Sequence, residues 1–470
     1  MIRITLLLLV VAFFSFYAWR NWFVSTCAAI VLMAVVQHPD FPNSIFGIQG
    51  LNPWNILLLS VILAWLHQRR EQGLFWDFPP RASWMLICAL AVISLGVARL
   101  VAKGDAEYTL GYVLSEDFIN CVKWVFPGIL LFDGCRTRKR IVAALLVVLT
   151  LYVLLSIQVI RWMPLSYAVS GEDLSYRASK ITQNEIGYNR VTLSNMLAGA
   201  SWAMLVTVII VRKNLYRFAV LGAASAIALG QALTGGRTGY LSWALVGLAL
   251  SALRWRKLLL VIPLAVVVVG VALPGVRQRM LQGFGGREGN FVVETSDYEI
   301  TSGRNIIWPR VIEEIENAPF FGYGRQAMNT TGLKEELWDE LHESFPHPHE
   351  AYLEQLLDNG IIGFLLLMPI YFFALWRSLP LVLDRSDPVI CVVGCAAFSL
   401  IFALLIGAFG GQTFYPREGS VGMWAAIGLM LRVSVQRSRS LQTGAVLFEG
   451  DDSTFQLEPE WGQVVDPIRM

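Results

Sequence analysis

Residues 141–160 read IVAALLVVLTLYVLLSIQVI, an apolar run without a single charge. A helix needs about 20 mostly apolar residues to cross the hydrocarbon core of a bilayer, so this run predicts a membrane-spanning helix. The whole chain of 470 residues has the same character: 55% of its residues are hydrophobic, 15% are charged, and the mean hydropathy is +0.55. Soluble chains carry about 25% charged residues. The sequence therefore predicts an all-α, polytopic integral membrane protein embedded in a lipid bilayer.

Further apolar runs bring the prediction to about 12–13 transmembrane helices. The first run is not followed by the small-residue cleavage site of a signal peptide, because Arg20, Asn21 and Trp22 stand there. We therefore expect an uncleaved first span. The candidate spans are 4–19, 22–37, 53–67, 83–101, 119–133, 141–160, 190–211, 217–234, 238–253, 258–273, 361–376, 388–409 and 419–433.

Basic residues cluster in alternate loops, which the positive-inside rule assigns to the cytoplasm. Residues 136–140, for example, contain three arginines and a lysine. The opposite loops then face the outside of the membrane, and the largest is 274–360. The predicted domains are N-terminal spans (1–189), a second membrane domain (190–433) in which the helical loop 274–360 caps the bundle, and a mobile cytoplasmic tail (434–470).

The charge balance and the cysteines exclude several classes of protein. The net charge is +2, so nothing indicates a nucleic-acid partner and none is predicted. Six cysteines fall mostly in apolar runs without a CxxC pair, so neither a disulfide framework nor a zinc ribbon is predicted. Lys123 lies in an apolar run near its outer end. An ionisable residue in a span could belong to a transporter or flippase, although we expect Lys123 to extend to the interface.

Two arginines begin predicted helices on the outer side. In TGGRTGYLSW (234–243), Gly236 allows close approach of a ligand and Arg237 starts the next helix. Arg304 likewise starts a predicted amphipathic helix over 304–318. An arginine at a helix N-terminus favours an anion such as a diphosphate. Weaker candidates of the same kind for the diphosphate or glycan are Arg190, Arg325 and Arg417.

The stretch HPHEAYLEQLLDNGIIG (347–363) admits three interpretations. His347 and His349 with Glu350 could bind zinc, which would indicate a membrane hydrolase, although the spacing fits no strong metal motif. A neutral histidine could instead be a general base, since its ordinary pKa is near neutral pH. The acids Glu350, Glu354 and Asp358 are typical of a solvated helix face. We favour a single histidine of this stretch as the base, with no metal and no cofactor.

The segments GRNIIWPRVIEEIENAPFFGYGRQAM (303–328) and HEAYLEQLLDNGIIGFLLLM (349–368) together resemble the signature region of the O-antigen ligase and O-antigen polymerase superfamily. TGGRTGYLSW resembles the upstream Ser-Arg-Gly element of that superfamily. The resemblance covers about 190–410 and rests on the order and spacing of these motifs. Glu350 departs from the pattern, because Asn or Ser usually follows the histidine, and it makes His347 a possible substitute for His349.

The resemblance implies metal-independent glycosyl transfer at the outer face of the membrane. The donor would be an oligosaccharide on undecaprenyl diphosphate. The acceptor would be a glycan in a polymerase or lipid A–core in a ligase. Arg237 and Arg304 would then hold the diphosphate, and His349 would take the proton from the attacking hydroxyl. Between the two activities we lean towards polymerase.

Overall fold

The computed structural model describes residues 2–45, 47–73, 75–104, 109–170, 174–281, 303–412 and 414–443. These residues are predominantly helical, so the predicted all-α membrane fold is confirmed. The first half contains helices α1 (Ile2–Val36), α2 (Pro53–Glu71), α3 (Pro80–Lys103), α4 (Leu110–Tyr112), α5 (Asn120–Lys123), α6 (Phe126–Gly134), α7 (Arg138–Trp162), α8 (Leu165–Ser170), α9 (Leu174–Ile181), α10 (Arg190–Val206) and α11 (Asn214–Leu233).

The second half contains α12 (Arg237–Leu253), α13 (Leu258–Ala272), α14 (Pro274–Leu281), α15 (Arg304–Asn317), α16 (Ala327–Thr330), α17 (Leu333–Leu341), α18 (Ala351–Leu367), α19 (Pro369–Val382), α20 (Pro388–Gly407) and α21 (Val421–Thr443). Short π-helices follow α4 (Val113–Ile119) and α9 (Thr182–Ile186), and 3₁₀ turns are formed by Thr207–Ile210, Ala408–Gly410 and Glu418–Ser420. Within the described ranges the strands are the two-residue antiparallel pair β1 (Ser44–Ile45) and β2 (Ile48–Gln49).

Every predicted span lies on helical residues, although 119–133 crosses the break between α5 and α6 and 361–376 crosses from α18 to α19. Seven of the described helical segments, one of them α18 and α19 taken together, are long and apolar enough to cross a membrane, or eight if the bent pair α13–α14, which meets at 117°, counts as one span. The remaining predicted spans are shorter or more polar, and the first two share helix α1. The prediction of about 12–13 spans therefore counts helices that do not meet this criterion individually.

Helix α1 folds back on itself at Asn21, whose backbone is not helical (φ −152°, ψ 86°). The Ser25 hydroxyl donates to the carbonyl of Phe14 over 2.7 Å. Residues eleven positions apart would be about 16 Å apart in a straight helix, so the two arms must run side by side. This hairpin preserves the two predicted runs as separate helical segments.

Helix α20 forms the centre of the bundle. Of its most apolar stretch, 89% of residues are buried inside the protein, far more than in any other long apolar helix described. It packs against α10 and α19, and Gly199 of α10 allows a close approach. A side chain at Gly199 would come within 2.7 Å of the carbonyl oxygen of Ser399. The same approach fixes the start of α10 near the cavity described below.

Helix α15 agrees with the helix predicted over 304–318. It begins after Gly303, which has φ +74°, whereas Thr301 and Ser302 lie outside the described residues. Its apolar stripe packs with α17 and the following loop into a second, smaller core. The buried residues of this core are Ile307, Val311, Ala327, Met328, Leu333, Leu337, Phe345 and Leu357. The described part of loop 274–360 is thus a packed helical unit.

Helix α21 continues to Thr443, past the predicted start of the tail at residue 434. Arg432 of this helix is almost fully buried and donates to both carboxylate oxygens of Asp77, over 2.7 and 2.8 Å. Arg437, further along, pairs with Asp384 over 2.6 Å. These ion pairs tie the last helix to two loops at one end of the bundle. Residues 444–470 lie outside the described residues.

Lys123 lies at the break between α5 and α6. Its ammonium group is 4.4 Å from the ring centroid of Trp124 and donates to the Asn55 side chain over 3.2 Å. Pro127 lies in the first turn after the break, where a proline begins a helix but cannot continue one. The contacts of Lys123 are therefore those of a cation held against an aromatic ring.

Candidate functional site

A cavity of about 370 Å³ lies where the first residues of α10, α12 and α15 meet. The loop before α18 and the segment between α20 and α21 complete its walls. Five arginines and one carboxylate, Glu418, are among the described residues that line it. The arginines are Arg190, Arg237, Arg279, Arg304 and Arg417. A wall of this composition, with polar groups converging on a concave surface, is suited to an anionic ligand.

The segment Thr234–Arg237 reaches the cavity because two glycines let it lie directly on α10. Gly235 adopts φ +65°, and a side chain at Gly236 would come within 2.6 Å of the Ser194 side chain. Helix α12 then begins at Arg237, so its free backbone N–H groups and its guanidinium lie at the same end of the cavity. The predicted anion site at this helix start therefore has the expected local structure.

Two further arginines converge on the carbonyl of Gly235. Arg190 donates to this oxygen over 3.0 Å and Arg279 over 3.2 Å. Arg190 was a weak candidate, and sequence reasoning missed Arg279. The available signal was its position just after Pro274, at the predicted outer end of the preceding span. Both guanidinium groups are thereby held against the backbone two residues before Arg237.

Arg304 contributes the guanidinium from the predicted outer loop and donates to the carbonyl of Gly410 over 3.5 Å. Burial lowers the pKa of Arg304, the neighbouring charge of Arg237 lowers it further, and Glu350 raises it. The two guanidinium groups are thus close enough to repel each other. A bound anion would relieve this repulsion, which is the electrostatic condition expected of a diphosphate site.

His349 lines the cavity beside His347, in a tight turn. His349 has φ +55°, an uncommon backbone conformation for a residue other than glycine, and its N–H donates to the Nδ1 of His347 over 3.2 Å. Trp308 of α15 donates to the carbonyl of Pro348 over 3.1 Å and holds the turn in place. Because a strained backbone persists only where its surroundings enforce it, these contacts fix the direction of the imidazole.

The pKa of His349 differs from the near-neutral value expected for a histidine base. Burial lowers the pKa of His349 to about 3, and the neighbouring His347 and Arg304 add to this effect. Burial also lowers the pKa of His347 to about 4, with contributions from Arg417 and Arg325. Both imidazoles are therefore neutral throughout the physiological pH range when no ligand is bound.

The interpretation of Glu350, Glu354 and Asp358 as a solvated face is wrong, because all three are at most 5% exposed. Glu350 accepts from the N–H of Leu353 as the N-cap of α18, and burial raises the pKa of its carboxyl. Glu354 and Asp358 bind the buried guanidinium of Arg325. These acids face the protein interior because the preceding turn and α15 cover the side of α18 that was expected to meet water.

Seven of the nine predicted site residues line the cavity, and two do not. Arg325 and Glu350 are absent from its walls, so direct contact of either with a substrate is not supported by the geometry. Sequence reasoning missed Gln412 and Tyr415, which are on the wall. The seven lining residues are Arg190, Gly236, Arg237, Arg304, His347, His349 and Arg417.

The zinc alternative requires at least three ligands close together. Among the residues that the structure describes, no group of three or more His, Cys, Asp or Glu side chains is arranged to hold a metal ion. His347 Nδ1 is instead engaged by the backbone N–H of His349. The geometry of the HPHE segment thus gives this alternative no support.

Comparison with known families gives a match over the segment that contains this geometry. Residues 222–368 match the model of the family described as O-antigen ligase. This segment is therefore similar to an O-antigen ligase domain. The domain contains Arg237, Arg304 and His349, and it supports a role in surface polysaccharide biosynthesis.

A curated relative is similar over a shorter segment. The exopolysaccharide production protein ExoQ of Rhizobium meliloti (strain 1021) is 28% identical over 111 residues. The aligned segment is 22% of this chain and 26% of the relative, so the chain spans about a quarter of the length of the relative it matches. The resemblance inferred from the sequence motifs is thus confirmed at the level of the superfamily domain.

Proposed function

We propose that the protein transfers a glycan from undecaprenyl diphosphate to a hydroxyl of an acceptor glycan, at the outer face of the inner membrane. One observation carries the proposal: Arg237, Arg304 and His349 come from three distant parts of the O-antigen ligase domain and line one cavity. Two guanidinium groups at helix starts fit a diphosphate, and an adjacent neutral imidazole fits a proton acceptor.

Arg237 and Arg304 bind the diphosphate of the donor. Each lies at the first position of its helix, so guanidinium N–H groups and free backbone N–H groups point to the same region. As the bond between the anomeric carbon and the diphosphate oxygen breaks, negative charge grows on the leaving group. The two arginines stabilise this charge, and undecaprenyl diphosphate is the leaving group.

His349 accepts the proton of the acceptor hydroxyl while the oxygen of that hydroxyl forms the new bond to the anomeric carbon. A histidine with a pKa of about 3 is a weak base, but the positive charge of Arg304 contributes to this low value. A bound diphosphate offsets the charge of Arg304 and raises the pKa of His349. His349 therefore becomes an effective base only once the donor is bound. In the empty site its imidazole stays unprotonated.

The rest of the cavity offers groups for sugar hydroxyls. Gln183, Asn189, Gln412 and Glu418 line it, and each carries hydrogen-bonding atoms of the kind that orient a glycan. None of the proposed steps uses a metal ion. The polyprenyl chain remains in the bilayer, and only the diphosphate and the first sugars enter the cavity.

We infer a polymerase-type activity, in which the acceptor is another glycan rather than lipid A–core. The support is the similarity to an exopolysaccharide production protein. The two activities are separated by a deletion strain. Loss of long chains with single repeats remaining indicates a polymerase, whereas long chains that stay unattached to lipid A–core indicate a ligase.

The substitution His349→Ala tests the mechanism. General bases contribute about 10²–10⁴-fold to rate, so we expect the transfer rate to fall at least about 100-fold, with normal protein level and normal lipid-linked donor. His342→Ala is the matched control, because His342 lies in the same loop but is exposed and does not line the cavity. Glycan of normal length and amount in the His349→Ala strain would contradict the mechanism.

A further inference from the structure

A buried ion cluster lies behind the cavity, on the side of α18 opposite to solvent. Its members are Arg325, Asp117, Glu354 and Asp358, each at most 5% exposed. Arg325 is 3.0 Å from Asp117, 3.4 Å from Glu354 and 3.2 Å from Asp358. Its guanidinium also stacks on Tyr415, 3.6 Å from the ring centroid. One guanidinium thus serves three carboxylates in a space closed to water.

The buried ion cluster touches the cavity wall through two side chains. Gln412 donates to Glu354 over 2.8 Å, and the Tyr415 hydroxyl donates to Asp358 over 2.9 Å. Both Gln412 and Tyr415 line the cavity. Through these two hydrogen bonds, the cluster fixes the position of the segment before α21.

The cluster also fixes the first turns of α18, which begins two residues after His349. Glu354 and Asp358 lie one and two turns into this helix, on the face turned to Arg325. Asp358 further accepts from the N–H of Ala327 over 3.1 Å. Asp117, on the π-helix Val113–Ile119, approaches from a third direction. Arg325 contacts the carboxylates of both elements.

The backbone next to Arg325 is locked to α18 as well. The N–H groups of Tyr323 and Gly324 donate to the carbonyls of Leu357 and Asp358, over 2.9 and 2.7 Å. These carbonyls are free because α18 is broken at Gly360, whose φ of +63° and ψ of −173° are not helical. The Gly322–Gly324 turn and the break at Gly360 therefore form one unit, and the Arg325 side chain extends from it into the cluster.

A buried set of charges is an inefficient way to stabilise a fold, because desolvation offsets most of the attraction and well-packed apolar residues often do as well. Such a set does demand one arrangement, since any displacement of the arginine leaves buried carboxylates without a partner. The cluster therefore makes better sense as a device that positions the neighbouring segments than as a source of stability.

We propose that Arg325 is a positioning residue: through Glu354, Asp358 and Tyr415 it holds the His349 turn and the opposite cavity wall at the separation that transfer requires. The proposal rests on the proposed function. Arg325 then does not bind the substrate directly. Tyr415 supports transfer through its contacts with the cluster rather than through a contact with the glycan.

The test compares Arg325→Lys and Tyr415→Phe with wild type in reconstituted bilayers. Lysine keeps the positive charge but cannot contact Asp117 and the carboxylates of α18 at the same time. Phenylalanine keeps the ring but loses the hydroxyl that donates to Asp358. Since misplacement of about 1 Å can cost about 100-fold in rate, we expect kcat to fall about 10–100-fold in Arg325→Lys. Tyr415→Phe should show a smaller fall of the same kind. The KM for the lipid-linked donor should stay within about twofold, because the diphosphate arginines remain in place.

The matched control is Arg310→Lys, which changes another ion-paired arginine of the same loop, bonded to Glu336 over 2.7 Å and remote from the cavity wall. It should leave kcat unchanged. Equal kcat in Arg325→Lys and wild type would overturn the proposal, and so would a rise in donor KM that accounts for the whole loss. If Arg325→Lys does not fold, Tyr415→Phe decides, and a wild-type kcat in that variant would then reject the proposal.

A second measurement does not need turnover. The rate at which diethyl pyrocarbonate carbethoxylates His349, followed by mass spectrometry, reports how firmly the turn that carries His349 is held. The rate should rise in Arg325→Lys and stay unchanged in Arg310→Lys. Unchanged labelling in Arg325→Lys would count against positioning even if the protein proved not to transfer glycan. If wild type transfers no glycan but the labelling rate changes as expected, the proposed function has failed and the positioning role has not.

Discussion

The low pKa of His349 makes a quantitative prediction about the pH dependence of transfer. The pH profile of kcat/KM reports the free enzyme, and a general base must be unprotonated to act. With the ordinary value of 6.5, about a tenth of His349 would be neutral at pH 5.5, and kcat/KM would be about tenfold below its plateau. With the pKa lowered to about 3, mainly by burial and further by His347 and Arg304, more than about 99% is neutral at pH 5.5. We therefore expect no loss of kcat/KM from this group between pH 7.5 and 5.5.

The profile of kcat should differ in a defined direction, because it reports the enzyme with the donor bound. The bound diphosphate offsets the positive charge of Arg304, so the pKa of His349 rises and the acid limb of kcat lies at higher pH than that of kcat/KM. The assay follows transfer from a purified lipid-linked donor between pH 4.5 and 8. An acid limb of kcat/KM with its midpoint near 6.5 that is kept in His342→Ala, His347→Ala and Asp358→Asn would refute this reasoning; Asp358 is included because its buried carboxylate accepts from Tyr415 of the cavity wall.

Two further predictions concern binding and folding. Arg237→Gln and Arg304→Gln should each raise the donor KM about 10–100-fold, because a hydrogen bond to a charged group contributes about 1.5–3 kcal/mol, and Arg310→Gln should not change it; an unchanged KM in both would remove the arginines from the diphosphate site. Gly360→Ala should lower the melting temperature, because its backbone conformation is nearly exclusive to glycine and the new side chain would come within 2.3 Å of a backbone atom. Gly222→Ala, with no atom within 4 Å, is its control, and equal melting temperatures for the two variants would contradict the packing described for the break in α18.

The positions of the helices could be predicted from the sequence, because hydropathy identifies membrane spans. The sequence also predicted both histidines of the cavity and four of its five arginines, since few such residues occur on the predicted outer side, but it missed Arg279. It left open whether the two runs on either side of Asn21 are separate spans or a hairpin, because the contact between them depends on tertiary packing. The end of the last helix at Thr443 was missed because its polar final turns resemble a tail.

The acids of α18 show why the burial and the ion pairs of the site could not be predicted. Glu354 and Asp358 at helical spacing look the same whether water or a partner covers them, and the sequence does not indicate which. The partner Arg325 precedes them by 29 and 33 residues, and Asp117 is 208 residues from Arg325. The pKa of His349 was mispredicted for a related reason, because burial, its largest cause, is a property of the folded chain.

The most direct test of the central claim is transfer by the purified protein from an undecaprenyl-diphosphate-linked oligosaccharide, measured in the presence of a chelator. The account predicts that wild type lengthens or moves the glycan at full rate under these conditions, with release of undecaprenyl diphosphate, and that His349→Ala retains about 1% of that rate or less. A His349→Ala protein that transfers at the wild-type rate, or a wild-type protein that loses transfer when metal is removed, would contradict it.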